Sequence, residues 1–237
     1  MSSPTNPVVS FRKFGFVVLP GFLGSAEQEV LRRSCDAALA RVRRDNRETA
    51  HSTPRISLLT ETSGDDREEL LAAIVEFASS TRVCALLRAV TSETPLGLEE
   101  VHYYHEQLKR DWDGDWHRDS QFGRPEPERE RARFETSLAV HVRVAFEDDD
   151  RLEIVPGSHA RWDTPEELRI RKGPDRATAL MPNATRIQLR AGDGCLFHAW
   201  SIHRATYRCA PIRRTLDTLY GAVEREEFPS APRLTAK

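Results

Sequence analysis

His117 and Asp119 place an imidazole and a carboxylate two residues apart, within the stretch Asp115-Trp116-His117-Arg118-Asp119-Ser120-Gln121-Phe122. On an extended strand, residues i and i+2 point to the same face. Two short side chains so placed can grip one metal ion from one side. His203, far along the chain, offers a third ligand of suitable type. Two imidazoles and one carboxylate on one face of an octahedral ion is the arrangement of non-haem Fe(II) sites, with the other positions open. The His-x-Asp pattern is short, and a surface histidine beside a solvated aspartate also produces it. The rest of the chain has to decide between the two.

The charge balance narrows the classes. The 237 residues hold 35 Lys+Arg against 37 Asp+Glu, a net charge of −2. A nucleic-acid partner would call for clustered basic charge, so none is expected. With 39% hydrophobic and 30% charged residues, a core is affordable under a densely charged surface. No apolar run approaches the roughly 18 residues of a membrane span. Residues 1–7 lack the basic start and apolar centre of a signal peptide. A cytoplasmic protein with no membrane partner is therefore expected. Cys35, Cys84, Cys195 and Cys209 form no Cys-x-x-Cys pair, which argues against a thiolate zinc site and for free thiols.

The elements that must position the candidate ligands follow from periodicity. Residues 1–10 read as a loose tail. Residues 14–19, Phe-Gly-Phe-Val-Val-Leu, predict a strand closed by Pro20-Gly21. Ser25 and Gln28 have capping-box spacing, and Val30, Leu31, Cys35, Ala38, Leu39 and Val42 recur at helical spacing. Residues 56–59 suggest a strand. Residues 65–90 suggest one or two amphipathic helices with a break near Ser79-Ser80. From about residue 98 the pattern turns to strands: 101–109, 134–146, 152–155, 185–189, 195–198 and 213–223. Thr164-Pro165 looks like a helix start, and Gly192-Asp193-Gly194 a tight turn. The charged segment 123–133 reads as a solvated loop or helix, or as a lid beside the metal. Many short strands with Gly/Pro turns predict a sandwich or jelly roll. The expectation is one domain over residues 1–237, mainly β with flanking helices. Helical padding covers about 22–92 and a double-stranded β-helix, cupin-like core about 98–225.

Taken in order, these segments resemble the phytanoyl-CoA dioxygenase-like family of Fe(II)/2-oxoglutarate oxygenases. Trp116-His117-Arg118-Asp119 resembles the family's W-H-x-D. Leu152-Glu153-Ile154-Val155-Pro156-Gly157-Ser158-His159 is similar to its strand and P-G-S-H turn. Gly192-Asp193-Gly194-Cys195-Leu196-Phe197 is similar to its G-D-x-x-x-F strand, and His203 stands at the distal position. Arg213-Arg214-Thr215-Leu216 resembles the closing R-R-x-L strand. Residues 14–23 resemble the family's opening. The departures are Ala205, where many members carry serine, and Tyr207 and Arg208, near the place of a family asparagine.

The resemblance implies His117, Asp119 and His203 as both metal ligands and catalytic centre, Fe(II) as metal, 2-oxoglutarate as cosubstrate and O2 as co-reactant. It implies hydroxylation of a small-molecule substrate, lipid-like or specialised, with release of succinate and CO2. The far carboxylate of 2-oxoglutarate calls for a planar, bidentate cation, which is arginine chemistry. Arg214, eleven residues past His203, has the family spacing, with Arg213 as the fallback. On an extended strand Arg214, Leu216, Thr218 and Tyr220 share a face. Tyr104 and Gln107 are further cosubstrate candidates. Trp116, Gln121, Phe122, His198 and Trp200 are expected to line the substrate pocket. His141 and Arg143 share a strand face, and either point into the barrel mouth or make a rim salt bridge. His159 is expected to be structural. Arg118 alternates away from the ligands but could meet an acidic substrate. A cupin-like dioxygenase or isomerase without 2-oxoglutarate is the alternative function. Monomer and homodimer both stay open.

Overall fold

The computed structural model describes residues 6–45, 54–92, 94–105, 110–122 and 126–222. Helix α1 (Pro7–Phe14) stands where the sequence suggested a loose tail. Asn6 accepts from the Val8 N–H, Pro7 occupies the first turn, and Gly15 closes the helix at φ 79°. These are ordinary start and stop devices. Strand β1 (Phe16–Leu19) and helix α2 (Ser25–Asp45) follow. The Gln28 amide does not complete a capping box. It donates to the Phe146 carbonyl at 2.8 Å and ties α2 to the sheet. After β2 (Arg55–Ser57) and the single turn α3 (Leu58–Glu61), the apolar-periodic stretch divides into α4 (Arg67–Ala78) and α5 (Thr81–Thr91). The division falls at Ser79-Ser80, where the Ser80 hydroxyl accepts from Val83 N–H.

The strands of the second half are β3 (Leu96–Tyr104), β4 (Trp112–Asp113), β5 (Ala139–Ala145), β6 (Leu152–Ile154), β7 (Thr185–Arg186), β8 (Gly194–His198), β9 (His203–Tyr207) and β10 (Thr215–Ala222). The strand expected over 134–146 loses its first residues to helix α6 (Pro127–Thr136). Proline in the first turn and a run of Glu and Arg favour helix there. Helix α7 (Pro165–Lys172) begins at the Thr164 capping box.

One sheet has the order β1-β8-β5-β10-β3-β2 and the other β4-β9-β6-β7. The strands pair antiparallel throughout. Strands β3, β5, β8 and β10 lie in one sheet and β4, β6, β7 and β9 in the other, the layout of a double-stranded β-helix.

Side-chain alternation then sorts the two faces of the larger sheet. Val140, Val142, Val144, Leu196, Leu216 and Tyr220 share one apolar cluster with Leu31, Ile74 and Leu87 of the helices. Each fully buried aliphatic side chain contributes roughly 1.5–3 kcal/mol, so the helices hold this outer face firmly. The inner face carries Ala145, Cys195 and Phe197 of a second apolar cluster, with Phe197 opposite His141 and Cys195 opposite Arg143 across β5–β8. Among the described residues no single helix is long and apolar enough to cross a membrane. All four cysteines are free.

Candidate metal centre

His117 lies just outside the smaller sheet, where its N–H donates to the His203 carbonyl at 3.0 Å and the His203 N–H donates back at 2.9 Å. This two-bond bridge sets the two imidazoles side by side, with ring centroids 4.3 Å apart. Asp119 opens a short 3-10 turn (Asp119–Gln121) that bends its carboxylate back toward them. One donor atom from each of His117, Asp119 and His203 lies within 4.8 Å of the others. Asp119 Oδ1 stands 3.4 Å from His117 Nε2 and 3.7 Å from His203 Nε2. Adjacent ligands of an octahedral ion with bonds of about 2.1 Å sit about 3 Å apart, so a small inward movement would close the set on an ion.

The hydrogen bonds prepare these atoms as ligands. His117 Nδ1 is 2.7 Å from the Asp115 carbonyl and His203 Nδ1 is 2.9 Å from the Ser201 carbonyl. A carbonyl only accepts, so each Nδ1 carries the hydrogen and each Nε2 presents a lone pair. Burial, with His117 beside it, pushes His203 down to about 3, so it is neutral at ordinary pH. Burial acts against ionising Asp119, but His203, His117 and His141 outweigh it and hold the carboxyl well below its usual range. Neutral imidazole and ionised carboxylate are the protonation states that metal binding requires.

A cavity of about 590 Å³ opens over the three residues. Gln121, Phe122 and Trp200 line it, as do Tyr104, His141 and Arg143. Trp116 and His198 do not. Trp116 is 1% exposed, packs with Val155, Ile170 and Ile202, and donates to the Ala179 carbonyl. It is adjacent to His117, so alternation sends it to the opposite side. His198 leaves β8 on the side opposite Phe197. It stacks near Phe11 and accepts the Trp200 N–H at Nδ1.

Arg214 also falls outside the cavity. It pairs with Glu147 at 2.6 Å and Asp36 at 3.6 Å, on the helix-covered face. Leu216, Thr218 and Tyr220 do share its parity, but that parity is the outer one: the Tyr220 hydroxyl donates to the Ala78 carbonyl of α4. Arg213 has the inner parity, with Thr215 and Asp217. It is 2% exposed, bonds Asp149 at 3.1 Å, and lies 4.3 Å over the Tyr104 ring. Arg143 reaches the same ring at 5.2 Å. Gln107 lies outside the described residues. The sequence reading passed over Asp217, Glu99 and Glu100. A register shift in the β10–β3 pairing beside Leu219/Tyr220 leaves Glu99 unpaired, and both glutamates line the cavity mouth.

The phytanoyl-CoA dioxygenase (PhyH) sequence profile matches residues 11–215. The chain belongs to this family. No curated protein matches it significantly in sequence. Among solved structures, HygX from Streptomyces hygroscopicus, with nickel and 2-oxoglutarate bound, superposes with a TM-score of 0.65 at 18% identity, covering 94% of this chain and 88% of that one. EctD from S. alaskensis, with 2-oxoglutarate and 5-hydroxyectoine, gives 0.66 at 15% identity, covering 93% and 77%. The non-haem α-ketoglutarate-dependent epimerase SnoN from nogalamycin biosynthesis gives 0.60 at 20% identity, covering 90% and 79%. At these identities the likeness is one of fold.

In this PhyH-family chain the His-x-Asp turn rests on a buried charge network. Arg118, between the two candidate ligands, is fully buried rather than facing the cavity. Its guanidinium holds Asp163 at 2.7 Å and donates to the carbonyls of Ser158 and Trp200. Asp163 also bonds Arg171, which pairs with Glu130 of α6 at 3.0 Å and donates to Gln121 at 2.6 Å. Lys172 adds a 2.7 Å contact to Glu130. So the charged segment, read as a solvated loop or helix or as a lid, carries helix α6, pinned through Glu130 beside the cavity.

The neutral histidines give the protein an acid limit. Burial, reinforced by Arg55, depresses His102 to about 4. In the unfolded chain such a group titrates near 6.5. Below that pH the unfolded state binds the proton and the folded state does not, so stability falls as pH drops. Urea midpoints of the metal-free protein should decline from pH 7 to pH 4.5, and His102→Gln should flatten that decline. An unchanged slope in the variant would remove His102 from the account.

Proposed function

We propose that the protein is an Fe(II)- and 2-oxoglutarate-dependent oxygenase that hydroxylates a small molecule. The observation that carries this reading is the convergence of His117 Nε2, His203 Nε2 and Asp119 Oδ1 at the head of a cavity that also holds arginine. The donor set fits a divalent iron ion better than a soft thiolate-bound metal. When bound, iron with 2-oxoglutarate would supply the oxidising power, releasing succinate and CO2. The chain's own residues do the rest. His117, Asp119 and His203 would hold the ion from one side, facing the cavity. Arg213, on the inner parity of the closing strand, is the residue we assign to the far carboxylate of 2-oxoglutarate, with Tyr104 as the surface beneath it. Arg143 lies alongside, and its Nη1 is buried without a hydrogen-bond partner. Phe197, packed 5.3 Å from the His203 ring, keeps water from that side. Gln121, Phe122 and Trp200 remain for the substrate, beside the charged groups Glu99, Glu100 and Arg133 that also line the cavity.

Asp119→Ala is expected to abolish turnover and to weaken Fe(II) binding at least about 100-fold, since one of three protein ligands is lost. Anaerobic titration followed by succinate release checks both. Wild-type succinate release in the variant would sink the assignment. Because structural relatives include an epimerase and a carbocyclase, product mass decides the reaction type. Gain of one oxygen supports hydroxylation, and an unchanged mass supports epimerisation.

A further inference from the structure

Asp119 uses only one oxygen toward the two histidines. Its other oxygen, Oδ2, is 2.8 Å from His141 Nε2. His141 Nδ1 is in turn 2.6 Å from Asp217 Oδ1. Asp217 Oδ2 takes Arg143 through Nε at 2.6 Å and Nη2 at 2.5 Å. Carboxylates only accept, so His141 donates from both ring nitrogens, to Asp119 and to Asp217, and Arg143 donates to Asp217. The four groups form one continuous chain from a candidate metal ligand to a cavity arginine. Every member is held. His141 lies flat on Phe197, at 4.3 Å between centroids and 2° between planes. Asp217 is 1% exposed and Arg143 3%. The backbone explains the meeting: Asp217 faces Arg143 across β10–β5, and His141 is the next inward residue on β5.

We propose that His141 is a positioning residue of the metal centre, which clamps Asp119 Oδ2 and so confines Asp119 to a single-oxygen bond to the metal, with Asp217 fixing the clamp. This rests on the proposed metal site. With Oδ2 occupied, Asp119 cannot swing to chelate through both oxygens, and the coordination position it would otherwise take stays open. Arg143 ends the chain in the cavity, so the same strand pair that aims the metal carboxylate also aims a cation beside the cosubstrate subsite. The role of His141 is orientation of Asp119; it does not touch the metal.

The test uses the full chain and Co(II) as probe, read by its visible absorption under anaerobic conditions. His141→Phe keeps a flat ring on Phe197 and removes both hydrogen bonds. Its Co(II) dissociation constant should rise about 10- to 100-fold, and the Co(II) spectrum should change as Asp119 becomes free to turn. Asp217→Asn touches neither metal nor Asp119, yet should weaken Co(II) binding as well. The double variant should be no weaker than His141→Phe alone, because both changes break one chain. His141→Gln, which can still donate to Oδ2, should recover part of the affinity. Near-ultraviolet circular dichroism confirms that each variant is folded. Wild-type Co(II) affinity and spectrum in folded His141→Phe would overturn the clamp, and additive losses would overturn the role of Asp217. Absence of Co(II) binding by the wild type would instead overturn the metal site itself.

Discussion

Arg213→Lys is expected to weaken 2-oxoglutarate binding about 10- to 100-fold, while Arg214→Ala leaves it within about twofold. The first figure is the loss of a charged, two-pronged hydrogen bond when a planar fork becomes a point charge. Lysine rather than alanine is the right substitution, because Arg213 is buried against Asp149 and a neutral side chain there would strand a carboxylate. Arg214 sits a third exposed between Glu147 and Asp36, on the far side of the sheet. Surface pairs of this kind are worth about 0–1 kcal/mol, and nothing connects them to the cavity. Anaerobic titration of the Fe(II) protein with 2-oxoglutarate, followed by its visible charge-transfer absorption, separates the two. Equal binding by Arg213→Lys and wild type would remove Arg213 from the cosubstrate subsite. A loss confined to Arg214→Ala would return the assignment to the outer arginine.

Arg118→Ala should be the most damaging single change outside the ligands. The side chain is completely buried, and its removal leaves Asp163 with one cation fewer and takes a donor from three carbonyls, those of Ser158, Trp200 and Arg161. Breaking a buried pair from one side costs about 3–5 kcal/mol. For a chain of this size that is a fall of about 10 °C in melting temperature. Arg118→Lys should rescue little, because one ammonium cannot reach Asp163, Ser158, Trp200 and Arg161 together. The effect should extend to the metal, since Arg118 is the residue between His117 and Asp119. Thermal unfolding and Co(II) titration of the same samples check both parts. A melting temperature within about 2 °C of wild type would mean that the network contributes far less than its burial implies.

The neighbouring Arg213 and Arg214 mark the boundary between what sequence carries and what it does not. Spacing along a strand says which residues share a face, and Arg214, Leu216, Thr218 and Tyr220 do. It does not say which face is inside. Both faces of the sheet are largely buried, one under helices and one against the second sheet, and on β10 each parity mixes polar and apolar residues, so polarity gives no cue there. The packing of Leu216 and Tyr220 against the helices decides it. His198 and Trp116 fall to the same ambiguity, each next to a residue that does face the cavity. Local signals with a defined geometry were legible: the Ser79-Ser80 break, the Thr164 cap, and the alternating valines of β5.

By itself the sequence determined most of the longer helices and strands and the two ends of a His-x-Asp and distal-His set, because periodicity, caps and short motifs are local. It missed α1 and carried the β5 strand back into α6. Only the tertiary structure decided that His117 and His203 share a two-bond bridge. It also turned Asp119 back on a single 3-10 turn, and brought His141 and Asp217, 76 residues apart, to 2.6 Å. Those outcomes depend on strand register and on which face the helices cover, and both are settled by burial summed over the whole sheet rather than by any local stretch.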